Sequence, residues 1–346
     1  RRIDKAILEK MIYALHLLES LKTNGLHFVF KGGTSLVLLL EEENRFSIDI
    51  DIICNTDREI LEKILNKVVD TSNFKSFELD EHRSYKEGVP KAHYSFAFDS
   101  TTKGKYSGTI LLDVLIEDSI YPELTEKPIQ TKWLETEGTT KITLPTIDAI
   151  TGDKLTAFAP NTIGIPYFKG KTKQPFSMEI CKQLFDLSKL FEKIENIEIV
   201  ARSFQAFALQ EIEYRKHQNS NLTPEEVLQD TIDTCIILAK MGKGSDDEKS
   251  KFSELQKGIR AFGTGFLMAG NFRIDDAILA SARVAYLATK LLRRDFSPLE
   301  YYNGQNIKEL SIENQEWNFL NRLKKQADKS GFYYWYKTIE IMKLNE

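Results

Sequence analysis

Three carboxylates and a glycine turn are the residues of this sequence best suited to chemistry. The run Lys31-Gly32-Gly33-Thr34-Ser35 is followed by Arg45-Phe46-Ser47-Ile48-Asp49-Ile50-Asp51. Two adjacent glycines at a strand-to-helix turn let the main chain approach a ligand closely. The free N–H groups of the helix that follows then face an anion, ideally a phosphate. Thr34 and Ser35 add hydroxyl donors. Asp49 and Asp51 stand two apart on an expected strand, so their side chains share a face. Two carboxylates side by side repel unless a cation sits between them, and hard divalent ions such as Mg²⁺ prefer such oxygen ligands. Each feature alone is weak. The glycine turn is neither a Walker A loop nor a G-x-G-x-x-G fingerprint, and an Asp-x-Asp pair is usually a solvated strand face. In this order and on these elements the combination is specific.

Asp113 sharpens it. The residue interrupts the apolar run Thr109-Ile110-Leu111-Leu112-Asp113-Val114-Leu115-Ile116. A buried, unpaired charge is very costly, so this carboxylate should have a partner. One candidate is a buried Arg or a hydrogen-bonding network. The other is the Asp49–Asp51 metal site, if the two strands are neighbours. Three carboxylates holding two Mg²⁺ ions would activate a hydroxyl and steady a leaving pyrophosphate.

The elements that must position these residues follow from periodicity. Residues 4–23 carry Ile7, Leu8, Met11, Ile12, Leu15, Leu18 and Leu21 at helical spacing, and Asn24-Gly25 ends that helix. Strands are expected over 27–30, 48–54, 93–98 and 109–116, with helices over 35–42 and 57–69. From about Thr146 the pattern turns helical, over 147–159, 178–194, 198–214, 224–241, 276–292 and 314–344, with Gly331 as a break in the last. Residues 160–177 and 242–251 read as loops. The expectation is an α+β fold: a mixed sheet with helices over 1–145, then a mostly helical domain over 146–346.

Composition sets outer bounds. With 346 residues the chain has about two domains. It is 42% hydrophobic and 28% charged, as globular proteins are. Cys54, Cys181 and Cys235 lie far apart without metal-ligand spacing, which points away from a disulfide framework and towards a reducing cytoplasm. No apolar run approaches the roughly 18 residues that a membrane helix needs, and no leader pattern opens the chain. The net charge of −4 does not favour nucleic acid as a whole-protein field, so RNA or DNA as a partner would need a local basic patch. Lys169, Lys171 and Lys173 could supply one, or could belong to a solvated loop. Tyr333-Tyr334-Trp335-Tyr336 packs the last helix or, less simply, stacks bases. The histidines, His16, His27, His82, His93 and His217, show no zinc-site or triad spacing.

In these residues the chain resembles the nucleotidyltransferase toxins of the AbiEii/AbiGii family, within the polymerase-β-like superfamily. The superfamily pattern is Gly-Gly/Ser at a helix start, an Asp-x-Asp/Glu strand, then a third Asp. The family form is Lys-Gly-Gly-Thr followed by Arg-x-Ser/Thr-x-Asp-hydrophobic-Asp, which Lys31, Gly32, Gly33, Thr34, Arg45, Ser47, Asp49 and Asp51 reproduce. A later lysine helix is similar to Asp153-Lys154-Leu155-Thr156-Ala157. A Lys-Asp-x-x-Asp-Leu helix is similar to Lys182-Gln183-Leu184-Phe185-Asp186-Leu187, with Gln183 where an Asp is common. The resemblance covers roughly residues 25–195.

It implies that Asp49, Asp51 and Asp113 hold two Mg²⁺ ions. It implies that Lys31, Gly32, Gly33, Thr34, Ser35, Arg45, Ser47 and Lys154 bind the nucleotide. Lys154 would meet the NTP phosphates, and Asp186 would orient Lys154 or act as a base. The plainer readings are an exposed helix lysine for Lys154, and for Asp186 a surface pair with Lys182 or Lys189. Arg45 pairs with an acid or contacts phosphate, and Ser47 borders the metal site from the Asp49–Asp51 face. The implied reaction moves a nucleoside monophosphate from an NTP to an acceptor hydroxyl, with RNA, and tRNA in particular, as the first acceptor. The implied setting is a toxin–antitoxin or phage-defence system with a separately encoded antitoxin. The rivals are nucleotidylation of a small molecule or a protein, and a non-catalytic NTP-binding module.

Overall fold

Leu17, Leu18 and Leu21 lie fully buried along helix α1 (Lys5–Thr23), and Gly25, at φ +90°, turns the chain out of it. The chain is seen here as a computed structural model that describes residues 5–40, 45–84, 89–102, 107–131, 140–170, 173–216, 221–267 and 270–343. It divides into two compact units, one of residues 1–146 with 266–270, the other of residues 147–265 with 271–346.

In the first unit, strand β1 (Val29–Lys31) runs into helix α2 (Gly32–Leu39), and strand β2 (Ile50–Ile53) precedes helix α3 (Arg58–Thr71). Strand β3 (Phe74–Leu79), the short helix α4 (Glu81–Ser84), and strands β4 (Lys91–Asp99), β5 (Ser107–Leu115), β6 (Leu124–Pro128) and β7 (Lys141–Pro145) follow. The strands form one mixed sheet in the order β3-β4-β5-β2-β1-β7-β6. β2 runs parallel to β5 and β1 parallel to β7, and the remaining pairs are antiparallel. Alternation sorts the faces. Ile50, Ile52, Leu112, Val114, Tyr94, Phe96 and Phe98 share one face and are buried. Tyr13 of α1 stacks on Phe98, and the Tyr94 hydroxyl donates to Glu62 of α3 at 3.2 Å, so α1 and α3 cover that face.

The second unit is helical: α5 (Ile147–Ala157), α6 (Ser177–Phe191), α7 (Ile197–Tyr214), α8 (Pro224–Lys240), α9 (Asp246–Gly265), α10 (Ile274–Leu292) and α11 (Ser330–Lys343). α10, rich in alanine and buried along most of its length, packs against α6, α8 and α11. The three cysteines are free and buried. No helix among the described residues is long and apolar enough to cross a membrane.

Several sequence expectations need correction. β3, β6 and β7 went unread: the two outer strands are polar, as sheet edges commonly are. β2 starts at Ile50, so Ser47 and Asp49 precede the strand. The expected loop over 242–251 is mostly the first turns of α9, opened by a reciprocal cap: Glu248 N donates to Ser245 Oγ at 3.3 Å and Ser245 N to Glu248 Oε2 at 2.7 Å. The acids that suggested a solvated loop sit where they favour a helix N-terminus. Residues 314–344 are not one helix. A 3₁₀ segment, Asn318–Lys325, is separated from α11, and Gly331 lies inside α11. Asp328 makes the boundary by accepting from Ser330 N and Oγ at 2.9 and 2.6 Å. Inside the 160–177 loop, strands β8 (Phe168–Lys169) and β9 (Gln174–Pro175) pair as a small hairpin. Tyr333, Tyr334 and Trp335 are buried, so this run packs the last helix. Glu41, Glu42, Lys171, Thr172, His217 and Leu344 lie outside the described residues.

Candidate active site

The turn after β1 is built around Gly32. Its φ of +78° lies in the left-handed region, and a Cβ there would collide with the Asp51 carboxylate. A Cβ on Gly33 would meet the Arg45 guanidinium and Ser47 Oγ. The glycines thus let the turn sit directly against the acidic segment. α2 begins at Gly32, and no side chain from Lys31 caps it. Such a helix start is a ready anion site.

Hydrogen bonds tie this turn to the approach to β2. Thr34 Oγ1 donates to the Asp49 carbonyl at 2.5 Å and lies 2.9 Å from Ser47 Oγ. Ser35 is fully buried, its hydroxyl donating to Gly32 O at 2.8 Å within the helix's first turn. Arg45 Nη1 donates to Phe46 O at 3.1 Å, and Phe46 N donates to Phe266 O at 2.8 Å. Val37, Phe46 and Met11 form a small apolar cluster behind the approach. Asp49 is exposed and Asp51 half-buried.

Register then assembles a row. Lys31 pairs with Asp51 across β1–β2, Asp51 with Asp113 across β2–β5, and Asp113 with His93 across β5–β4. Cross-strand partners point to the same face, so Lys31, Asp51, Asp113 and His93 cross four strands on the face opposite α1 and α3. At one end, Lys31 Nζ lies 5.8 Å from the centre of the Tyr121 ring. At the other, His93 Nδ1 is 2.6 Å from Asp113 Oδ1, and Arg83 Nη2 is 3.4 Å from Asp113 Oδ2. Asp113 therefore has an imidazole and a guanidinium as partners, and it stands beside Asp51 as well. Among the described residues no three His, Cys, Asp or Glu side chains are gathered as a metal cage. The donor chemistry nevertheless suits a hard cation, since Asp51 and Asp113 set carboxylate oxygens side by side on neighbouring strands, the donors such an ion prefers.

The second unit holds Lys154 and Asp186. Lys154 Nζ donates to Asp186 Oδ2 at 2.8 Å and to Gln183 Oε1 at 3.2 Å. Lys154 is 5% exposed and Asp186 2%, so neither is a surface helix residue, and Lys182 pairs with Glu179 instead. Gln183, standing where an acid is common in the family pattern, accepts the lysine's second hydrogen bond.

Sequence reasoning missed His93 and Arg83. The signal was present but incomplete. Ala92, Tyr94, Phe96 and Phe98 alternate as a buried strand face, which sends His93 to the other side. Only the register of β4 on β5 sets it opposite Asp113.

Residues 16–257 match the family described as "Nucleotidyl transferase AbiEii toxin, Type IV TA system". No curated protein matches. Among solved structures, the chain is similar to a putative nucleotidyltransferase from H. pylori, at 16% identity over 74% of this chain and 98% of that one, with a TM-score of 0.37. It is also similar to MenT4, a nucleotidyltransferase toxin from Mycobacterium tuberculosis, at 13% identity over 83% and 93%, with a TM-score of 0.44. The glycine turn, the acidic row and the Lys154–Asp186 pair all fall within the matched span, and the chain belongs to the AbiEii family of nucleotidyltransferase toxins of type IV toxin–antitoxin systems.

Proposed function

We propose that this nucleotidyltransferase moves a nucleoside monophosphate from an NTP to a hydroxyl of an RNA acceptor, with Asp49, Asp51 and Asp113 as ligands of Mg²⁺. One observation carries the reading: Gly32 is moulded onto Asp51, and Asp51 stands in register with Asp113. The turn that suits phosphate and the carboxylates that suit a divalent ion are thereby one surface.

In the reaction, the acceptor oxygen forms a bond to the α-phosphorus and the α–β bridging bond breaks. Pyrophosphate leaves with that electron pair, and the hydroxyl proton passes to a carboxylate or to solvent. Bound Mg²⁺ would supply charge neutralisation for the phosphates and lower the cost of deprotonating the hydroxyl. The N-terminus of α2, with Lys31, Thr34, Ser47 and Arg45 around the glycines, would orient the triphosphate. The resemblance further implies that Lys154, held by Asp186, supplies positive charge to the NTP phosphates as charge develops on the leaving group. The family supplies the partner, an antitoxin, and the substrate, an NTP. The RNA acceptor rests on the resemblance to enzymes that modify tRNA.

The test is incubation of the protein with each labelled NTP, Mg²⁺ and total RNA, followed by separation by size. Label in an RNA band, lost in Asp49→Asn and Asp51→Asn, is the expected result. Label that moves only with protein or with a small molecule overturns the RNA acceptor. Undiminished labelling by Asp51→Asn overturns the metal assignment.

A further inference from the structure

We propose that His93 is a positioning residue for Asp113, holding this carboxylate in the orientation from which it serves the metal–nucleotide site. This rests on the role given to Asp113 above. A carboxylate can only accept, so the 2.6 Å contact places the imidazole proton on Nδ1 and directs it at Oδ1. The distance is that of a short, charge-assisted hydrogen bond.

The ring is itself held firmly. His93 is 8% exposed. Its N–H donates to Ser84 Oγ at 2.9 Å and its carbonyl accepts from Asp80 N at 2.8 Å, so both main-chain groups are fastened to the segment carrying α4. Ser84 Oγ in turn donates to Asp80 O at 2.6 Å, which closes that segment on itself. The other ring nitrogen, Nε2, is buried and meets no partner among the described residues. Among the described residues Asp113 is the imidazole's hydrogen-bond partner.

Neutralising Asp113 would not require this arrangement. Its side chain is 27% exposed, and Arg83 already lies beside Oδ2. Arg83 is 47% exposed and 3.4 Å away, a long contact that solvent screens. The buried imidazole adds direction: one carboxylate oxygen is anchored at the sheet. Partners of this kind, which hold a metal-binding carboxylate from behind, commonly change metal affinity or activity by about 10–100-fold when removed.

The experiment compares three substitutions in the full chain. His93→Asn keeps an N–H donor near the position of Nδ1. His93→Gln moves the donor outward, to the position of Nε2. His93→Leu removes it. Asp113→Asn is the reference for loss of the carboxylate. Mn²⁺ alone is titrated against each protein and followed by the electron paramagnetic resonance of the free ion, and kcat and KM for NTP are measured with Mg²⁺. We expect His93→Leu and His93→Gln to weaken Mn²⁺ binding and kcat by about 10–100-fold, while His93→Asn stays within about threefold of the parent. Where His93→Leu fails to fold, the Asn and Gln pair carries the test, since the two differ chiefly in donor position. Parental Mn²⁺ binding and kcat in His93→Gln, beside an impaired Asp113→Asn, overturns the role of His93 alone. Equal losses in Asn and Gln that follow their loss of thermal stability overturn it too, because packing would then explain both. Parental behaviour of Asp113→Asn overturns the reading of Asp113 itself, and this proposal with it.

Discussion

Removing Asp186 should cost the helical unit a large part of its stability. Lys154 and Asp186 are 5% and 2% exposed, so water cannot replace either partner. Breaking such a buried pair from one side strands a charge and typically costs about 3–5 kcal/mol. For a folding unit of 150–250 residues each kcal/mol shifts the midpoint by roughly 2–4 °C, so Asp186→Leu should lower the transition of this unit by about 6–20 °C. Lys154→Met should do the same. The double variant Lys154→Met/Asp186→Leu separates structure from function. With both charges gone and similar volume kept, it should return to within about 1 kcal/mol of the parent. Gln183, half-buried beside the pair, can turn its amide to solvent. Nucleotidyl transfer should nevertheless stay lost. The assay is calorimetric unfolding of the four proteins as a double-mutant cycle, with transfer measured on each. A midpoint drop below about 2 °C for Asp186→Leu, or a double variant that merely sums the singles, refutes the argument.

Three other outcomes are expected. Gly32→Ala must place an alanine at φ +78° and a methyl group into the Asp51 carboxylate. It should lose about 1–3 kcal/mol in urea unfolding and most transfer activity, and parental activity would exclude the close packing. Ser47→Glu adds a carboxylate beside Thr34 and the glycine turn, so it should bind NTP at least tenfold more weakly than Ser47→Ala by calorimetry, in line with about 1.4 kcal/mol of repulsion. Burial opposes ionisation of Glu9, but hydrogen bonds from Ser100, Thr101 and Thr102 outweigh it and hold its pKa down to about 2. A depressed carboxylate contributes stability that is present above its unfolded pKa, near 4.5, and is lost as pH falls towards 2. Glu9→Gln should therefore flatten the acid side of the stability curve in that window, and an unchanged slope in acid unfolding experiments would contradict this.

The sequence showed most plainly what depends on neighbours along the chain. Gly32-Gly33 announced a close approach, and the structure reveals Asp51 as what is approached. Helices with a clean apolar stripe, such as α1, α8 and α10, were legible because 3.6-residue periodicity is local. α9 was obscured because its first turn is acidic, and an acidic run looks alike in a loop and at a helix N-terminus. Edge strands β3 and β6 bury one side weakly, so their alternation fades. Register is the deepest omission. No local pattern says that residue 93 will stand opposite residue 113 and residue 51 opposite both neighbours, because register is fixed by the packing of the whole sheet.

The stretch that pairs with Phe46 is made late. Phe266 and Leu267, which bind the main chain at Phe46 and Arg45, count with the first unit although the chain reaches them only after α9. During synthesis the sheet can form from the first 146 residues, but the backbone just ahead of Ser47 and Asp49 waits for more than a hundred further residues before its partner exists. Domains generally fold as units in order of synthesis, and here that order is interrupted at the segment leading to the acidic row. A nascent chain stopped after residue 146 and before residue 266 carries every carboxylate of the row and lacks the clasp that steadies its approach. For a toxin, that arrangement ties a finished site to synthesis of the helical unit through α9.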